Sequence, residues 1–224
     1  MAEALGEVLG YALGIAISPI PIAAVILMLF SAKARVNAPI FLSGWVLGIA
    51  AVATVVLLIP GIDPTADDQP STTAGVIKAL LGTLLLAAAI RQWRGRPAPG
   101  EAPHMPRWMS GIDSLRPPAA FGMALLLSAV NPKNLVLAAA AGVSIGEADL
   151  TSAQTAVSVA IFTALASLSI AVPTFGYLIA GERVQPTLSR TKDWLIANNG
   201  LVTALLFLVF SVLLLGDALS ILTG

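Results

Sequence analysis

Six long runs of mostly apolar residues dominate this sequence, and polar connections separate them. The runs cover approximately residues 4–30, 38–59, 75–93, 118–146, 153–180 and 200–222. A helix that crosses a bilayer needs about 20 consecutive, mostly apolar residues. Backbone groups in lipid have to pair within their own segment, which makes each run a helix rather than an open strand. The sequence therefore predicts an all-α integral membrane protein with six transmembrane helices.

The composition agrees with a membrane location and argues against several classes of function. Only 11% of the residues are charged and the mean hydropathy is +0.90, whereas about 25% of the residues of a soluble domain are charged. The chain has no cysteine, which excludes disulfides, thiolate metal sites and dithiol redox chemistry. The formal net charge is zero, which argues against a nucleic-acid partner. No nucleophile–base pair, metal-ligand cluster or phosphate-binding loop stands out, so we expect neither an enzyme nor a bound cofactor or metal.

Lysine and arginine are unevenly distributed among the connections. The first, third and fifth connections carry the basic residues Lys33, Arg35, Arg91, Arg94, Arg96, Arg107, Arg116, Arg183, Arg190 and Lys192. The second and fourth carry no Lys or Arg. Their charged residues are all acidic, namely Asp63, Asp67, Asp68, Glu147 and Asp149. Cytoplasmic loops have an excess of Lys and Arg. The alternation therefore predicts a multi-pass protein of the plasma (inner) membrane with both termini outside.

The third connection divides the chain into two halves. Residues 95–116 are rich in Pro, Gly and Arg and are predicted to form a cytoplasmic linker between residues 1–94 and 117–224. Each half contains three predicted helices. An odd number of crossings gives the two halves opposite topology, which is typical of inverted-repeat transporters. We therefore predict two inverted three-helix repeats.

Proline interrupts the first helix of each half near its middle. Proline removes a backbone N–H and clashes with the preceding turn, and non-helical backbone at membrane depth has to be covered by protein or by a hydrated cavity. Interrupted segments at corresponding positions of two repeats indicate a substrate site. The predicted substrate-binding residues are Ser18, Pro19 and Pro21 in the first helix and Asn131, Pro132, Lys133 and Asn134 in the fourth. The alternative is that each break is a kink that only shapes helix packing.

The polar residues of the two breaks have individual roles to explain. Ser18, Asn131 and Asn134 can donate hydrogen bonds to the carbonyls that the prolines leave free. Lys133 is more unusual, because an ionisable residue inside a span costs a few kcal/mol and no acidic residue is evident at mid-span to pair with it. Two interpretations stay open: Lys133 faces a hydrated cavity or an anionic substrate, or it extends its ammonium to the membrane surface.

These motifs carry a family resemblance. The pairing of "SPIP" at 18–21 with "NPKN" at 131–134, within "ISPIPIAAVILML" and "NPKNLVLAAAAG", resembles the LysE-type exporter superfamily. The closer likeness is to its actinobacterial branch of glycopeptidolipid- and sulfolipid-addressing proteins, the GAP family, and it covers essentially the whole chain. The resemblance implies a role in moving cell-envelope lipids toward the surface, often alongside large lipid exporters. One departure is Ile20, where amino-acid exporters of the superfamily usually have glycine. A side chain there restricts the approach of a small ligand to the backbone, which argues against an amino-acid exporter.

Three functions are compatible with these observations. The first is a transporter or translocation subunit for an amphipathic, anionic cell-envelope (glyco)lipid, with that membrane lipid as its ligand and a larger lipid-export protein as a partner. The second is a LysE-like exporter of amino acids or other small metabolites, although no intramembrane carboxylate or histidine is evident to carry protons. The third is a non-transporting scaffold of a lipid-export complex. Homo-oligomerisation stays open. A cavity between the breaks that opens sideways to lipid would favour the first function, and a closed, water-lined pocket would favour the second.

Overall fold

Within residues 2–59, 71–95 and 107–223, which the computed structural model describes, every regular element is a helix. The α-helices are α1 (Ala2–Ala16), α2 (Pro19–Leu29), α3 (Ala34–Leu57), α4 (Thr72–Arg94), α5 (Pro117–Leu125), α6 (Pro132–Gly146), α7 (Ser152–Ala180) and α8 (Gln185–Thr223). A π-helical turn at Leu126–Val130 continues α5, and short 3-10 helices cover Arg107–Ser114 and Gly181–Val184. The predicted all-helical fold is therefore confirmed for the described part of the chain.

The first predicted break separates α1 from α2. α1 ends at Ala16, α2 begins at Pro19, and the two axes differ in direction by 49°. Ser18 takes the N-cap position of α2 with an extended backbone, at φ −115° and ψ 94°. Pro19 is the first residue of α2, a position at which its missing N–H breaks no helical hydrogen bond. Proline thus ends one helix and starts the next within the same apolar run.

The second predicted break separates α5 and its π-helical turn from α6. The two parts are bent by 63°. The Asn131 N–H bonds to the Leu126 carbonyl at 3.0 Å, five residues back, as a π-helical turn requires. Asn131 then caps α6, whose first residue is Pro132. Both breaks therefore have the same sequence pattern, a polar N-cap residue followed by proline.

The number of membrane crossings depends on how the bent helices are counted. By length and composition, α3, α4 and the helical run 152–223 could each cross a bilayer. The number rises to five segments if each of the two bent pairs, at the first and second break, is counted as one span. The run 152–223 contains the predicted fifth and sixth spans, and Gly181 interrupts it with φ +59°, a conformation that only glycine adopts readily. Six crossings in two inverted repeats stay a prediction.

The last helix begins earlier than predicted. α8 starts at Gln185, not near residue 200, so most of the predicted fifth connection is helical. Pro186 falls in the first turn, where proline is tolerated. Leu188, Leu195 and Ile196, which are spaced for one helix face, pack toward the core. Their packing favours a helix where the polar composition had predicted a connection.

Helix α6 occupies the centre of the bundle. Its residues 136–145 are buried on all sides, and it packs against α1, α3, α4 and α7. A Cβ added to Gly142 would lie 2.6 Å from the Ala53 carbonyl oxygen of α3, so the two backbones touch there. α8 lies along α4 and α2, while α7 lies along α1 and α3. This arrangement holds the second break at the start of α6 against the first break at the end of α1.

Candidate functional site

The two breaks contact each other although more than 110 residues separate them in sequence. The Ser18 hydroxyl lies 3.0 Å from Oδ1 of Asn134. The Lys133 ammonium donates to the Gly14 carbonyl at 2.6 Å and to the Ile17 carbonyl at 2.7 Å. The polar residues of the fourth predicted span therefore complete the hydrogen bonding of the interrupted first span.

The contacts at the first break follow from the positions of its prolines. In a continuous helix, the carbonyls of Ile15 and Ile17 would accept from residues 19 and 21, but both are proline and have no N–H. The Ser18 hydroxyl donates to the Ile15 carbonyl at 2.6 Å instead, and the Lys133 ammonium donates to the Ile17 carbonyl.

The Gly14 carbonyl is left free for a different reason. Its helical donor would be the Ser18 N–H, which bonds to Ala16 at 3.0 Å. The Lys133 ammonium donates to this carbonyl as well. Each carbonyl from Gly14 to Ile17 thus has a donor, as a buried backbone requires.

The second break is completed by its own asparagines. The Leu127 carbonyl would accept from the Asn131 N–H, which turns to Leu126 instead, and Nδ2 of Asn134 donates to Leu127 at 2.8 Å. Ser18 and Asn134 therefore donate to freed carbonyls, as predicted. The prediction for Asn131 is wrong in direction: its side-chain oxygen accepts from the Lys133 N–H at 3.1 Å. The reason is that Asn131 is the N-cap of α6, and an N-cap side chain accepts a bond from the first turn of its helix.

Lys133 is fixed inside the protein rather than extended to the membrane surface. It is 4% exposed, and it forms no ion pair within the described residues. An ammonium has three donor hydrogens, and the two backbone carbonyls use two of them. Lys133 also borders a cavity.

A cavity of about 340 Å³ lies at the meeting point of the two breaks, and we call it the polar cavity because several polar and basic side chains border it. Its lining includes six of the seven predicted site residues: Ser18, Pro19, Pro21, Asn131, Pro132 and Lys133. Asn134 is completely buried behind them. The opposite wall comes from α4 and α8, with Ala88, Arg91, Gln92, Asn199, Thr203 and Phe207. The structure thus brings the predicted residues to one cavity, and their role in binding substrate stays a prediction.

The residues of the opposite wall were not predicted. Arg91 was counted only as a charge of the third connection, and Asn199 fell just before the predicted sixth span. A signal was present in the spacing: Asn199, Thr203 and Phe207 follow one another at four-residue intervals and share one face of α8. A single sequence does not show that this face meets the breaks.

A larger, apolar cavity of about 830 Å³ lies on the other side of the first break. It runs between α1, α2, α7 and the first turns of α8, and its polar side chains are Ser169, Thr187 and Thr191. Leu13 and Val172 in its wall are 61% and 65% exposed. This cavity is therefore open at the apolar outer surface of the helix bundle.

The two cavities are neighbours along two elements. Ile17 lines the apolar cavity, and the next residue, Ser18, lines the polar one. On α8, Thr191 and Leu195 line the apolar cavity, and Asn199, one turn further, lines the polar one. The first break therefore separates a cavity bordered by polar and basic side chains from an apolar cavity that is open at the outer surface of the bundle.

A buried ion cluster near the other end of α4 was also missed. Nζ of Lys78 lies 2.5 Å from a carboxylate oxygen of Glu147 and 4.0 Å from one of Asp217. Side-chain exposure is 4% for Lys78 and 9% for Glu147. Lys78 is a lone basic residue in an apolar run, and its partners lie at the end of α6 and in α8. Among the described residues, no group of three His, Asp or Glu side chains is placed to hold a metal ion.

Comparison with known proteins assigns the chain to a family. No curated protein and no solved structure matches it. The family model of Sap, the sulfolipid-1-addressing protein, matches residues 8–220, which is nearly the whole chain and includes both breaks. The predicted resemblance to the sulfolipid-addressing branch is thereby confirmed, and the chain belongs to the sulfolipid-1-addressing protein family.

Proposed function

We propose that this protein is a membrane transporter or translocation subunit for an amphipathic, anionic cell-envelope lipid. The observation that carries the proposal is the pair of adjacent cavities on the two sides of the Ile17–Ser18 break: one is bordered by polar and basic side chains, and the other is apolar and open at the outer surface of the bundle. An amphipathic lipid likewise combines a polar headgroup with apolar acyl chains. Membership of a lipid-addressing family supports the same class of ligand.

The polar cavity suits an anionic headgroup. Arg91 supplies a guanidinium, which pairs well with carboxylate, phosphate or sulfate because its N–H groups form a planar fork. Lys133 contributes its remaining ammonium hydrogen, next to the N-terminus of α6, where the helix dipole favours negative charge. Gln92, Asn199 and Thr203 add amide and hydroxyl groups that can bind sugar hydroxyls.

The apolar cavity suits acyl chains and supports the lipid function over the metabolite exporter. Its long wall of leucine, isoleucine and valine side chains offers little to an amino acid or another small polar metabolite. An acyl chain could reach it from the membrane while the headgroup stays in the polar cavity. A lateral opening is the feature that favours a lipid over a metabolite.

The packing pattern supports an inverted-repeat frame for this function. α1 packs on α7 as α5 packs on α3, α2 packs on α8 as α6 packs on α4, and α2 packs on α3 as α6 packs on α7. These pairs become equivalent if residues 1–94 and 117–224 are related by a two-fold axis. The proposal includes six transmembrane helices in this frame, and the alternation of basic and acidic connections adds that both termini are outside and residues 95–116 are in the cytoplasm.

Substitution of Arg91 tests the headgroup site. Arg91 is exposed to the cavity and takes no part in the hydrogen bonds that close the breaks, so Arg91→Gln should fold normally. We expect Arg91→Gln to weaken binding of the anionic lipid phosphatidylglycerol by about tenfold, the loss of one charge-assisted contact. Native mass spectrometry of the purified protein measures this, with zwitterionic phosphatidylcholine as the reference lipid.

Arg94→Gln is the matched control. It removes the same charge from the same last turn of α4, but Arg94 does not line the cavity. Equal losses in both variants would show a general effect of surface charge and contradict the headgroup site. Unchanged lipid binding in Arg91→Gln, together with unchanged lipid at the cell surface, would favour the scaffold function.

A further inference from the structure

The ion cluster of Lys78, Glu147 and Asp217 joins three helices from both proposed repeats. Lys78 belongs to α4, Glu147 caps the end of α6, and Asp217 lies in the last turns of α8. The 2.5 Å contact between Lys78 and Glu147 is almost completely buried, and the Asp217 carboxylate lies 4.0 Å from the same ammonium. One buried ammonium therefore has a close, buried contact with Glu147 and a longer one with Asp217, whose side chain is 42% exposed.

The cluster lies toward the opposite end of α4 from the polar cavity. About 20 Å of helix separates Lys78 from Arg91, at the usual rise of 1.5 Å per residue. A similar length of α8 separates Asp217 from Thr203. The cluster thus joins the two helices that form the far wall of the polar cavity at a point well away from that wall.

Stability alone is a weak explanation for such a contact. Two charges lose much of their hydration on burial, and well-packed apolar residues often replace a buried ion pair without loss of stability. A buried ion pair does differ from apolar packing in one respect: removal of one partner leaves a charge that has to find water. Ionisable residues within membrane spans are rare and usually functional.

We infer that Lys78, Glu147 and Asp217 form a gate that closes the bundle at the end opposite the polar cavity. The inference rests on the proposed transport function, because a transporter exposes its site to one side of the membrane at a time. In the present arrangement the gate is shut, and α4, α6 and α8 are held together at that end. Opening requires the Lys78–Glu147 contact to separate so that the cavity becomes accessible from the side of the cluster.

Thiol accessibility tests the gate without any knowledge of the lipid. The chain has no cysteine, so Thr203→Cys places a single thiol in the polar cavity. A membrane-impermeant maleimide is added from the side of the cluster, which is the outside in the predicted orientation. Lys78→Met removes the ammonium from the buried Glu147 carboxylate, and a buried charge that loses its partner has to find water. We expect the labelling rate of the introduced thiol to rise at least about tenfold when Lys78→Met is added to Thr203→Cys.

Two further variants, each made in the Thr203→Cys parent, make the result specific. In Lys78→Met with Glu147→Met, apolar side chains replace both buried charges, so we expect the labelling rate to return toward that of the parent. Lys192→Met removes the cation of another Lys–Asp pair on α8, in which Lys192 lies 3.3 Å from a more exposed Asp193, and should leave the rate unchanged.

The outcomes separate this inference from the proposed function. Equal labelling in the parent and Lys78→Met, or labelling of the Lys78→Met, Glu147→Met protein as fast as that of Lys78→Met alone, would overturn the gate. Neither result bears on lipid binding, which the Arg91 experiment measures independently.

Discussion

At the residue scale, Lys133 has a structural role that its position in an apolar run did not show. Its ammonium bonds to the carbonyls of Gly14 and Ile17 and thereby completes a helix end in another part of the chain. A cation serves this purpose well because one ammonium can donate to several carbonyls at once. Lys133 therefore holds the two breaks together, and any contribution to ligand binding comes from the donor that remains.

Substitution of Lys133 should reveal this structural role. Lys133→Met removes a buried charge but leaves two buried carbonyls without a donor, each at a cost of about 1–3 kcal/mol. We expect a lower melting temperature in detergent than for the parent protein, with a smaller loss for Lys133→Arg, which keeps donors at this position. Differential scanning fluorimetry measures both. A melting temperature of Lys133→Met equal to that of the parent would show that the two carbonyl contacts do not matter for stability.

At the scale of the helix, each break is a proline that follows a polar N-cap. Pro19 and Pro132 start α2 and α6, and Ser18 and Asn131 precede them. The energetic cost of a break lies in the carbonyls it frees. Here the two broken helices are complementary, because side chains of the second supply donors that the first lacks.

A double-mutant cycle can measure this complementarity. With Pro21→Ala, only Pro19 interrupts this run, and a helix that continues through Ser18 can bond the new N–H to the Ile17 carbonyl, which removes one of the two needs for Lys133. We therefore expect Lys133→Met to cost less in the Pro21→Ala background than in the parent, with a coupling of about 1 kcal/mol. Denaturant unfolding of the four proteins gives the free energies. Strictly additive effects would exclude a link between Pro21 and Lys133.

At the scale of the whole molecule, function depends on where the cavities and the ion cluster lie relative to the membrane. The polar cavity lies near Arg91, at the end of α4 that carries the basic residues, and the cluster lies at the other end. If basic connections face the cytoplasm, the polar cavity faces the cytoplasmic side and the gate faces outward. The proposed orientation thus gives the path of the lipid its direction of access.

Site-directed labelling tests the orientation. The substitutions Asp67→Cys and Gly100→Cys, made singly at two positions outside the described residues, should give thiols that react from opposite sides of the membrane. The thiol of Asp67→Cys is expected outside and that of Gly100→Cys in the cytoplasm, because basic and acidic connections alternate along the chain. An impermeant maleimide on intact cells, compared with permeabilised cells, distinguishes the two sides. Reaction of both variants from the same side would contradict the proposed topology.

The sequence by itself determined the features that depend on local chemistry. Long apolar runs predicted helices, and prolines at residues 19, 21 and 132 predicted where two of them break, because the loss of an N–H acts within one turn of the chain. The same motifs indicated the family, which the match over residues 8–220 confirms.

Only the tertiary structure decided which groups meet. The partners of Lys133 and Asn134 lie 116 to 119 residues away in the first span, and the far wall of the polar cavity comes from α4 and α8. The ionic contact of Lys78 also joins separate helices. The start of α8 and the acceptor role of Asn131 likewise became clear only from the packing and hydrogen bonding around these residues in the folded chain. The physical reason is that hydrogen bonds and ion pairs depend on distance in space, and packing around α6 brings these residues together.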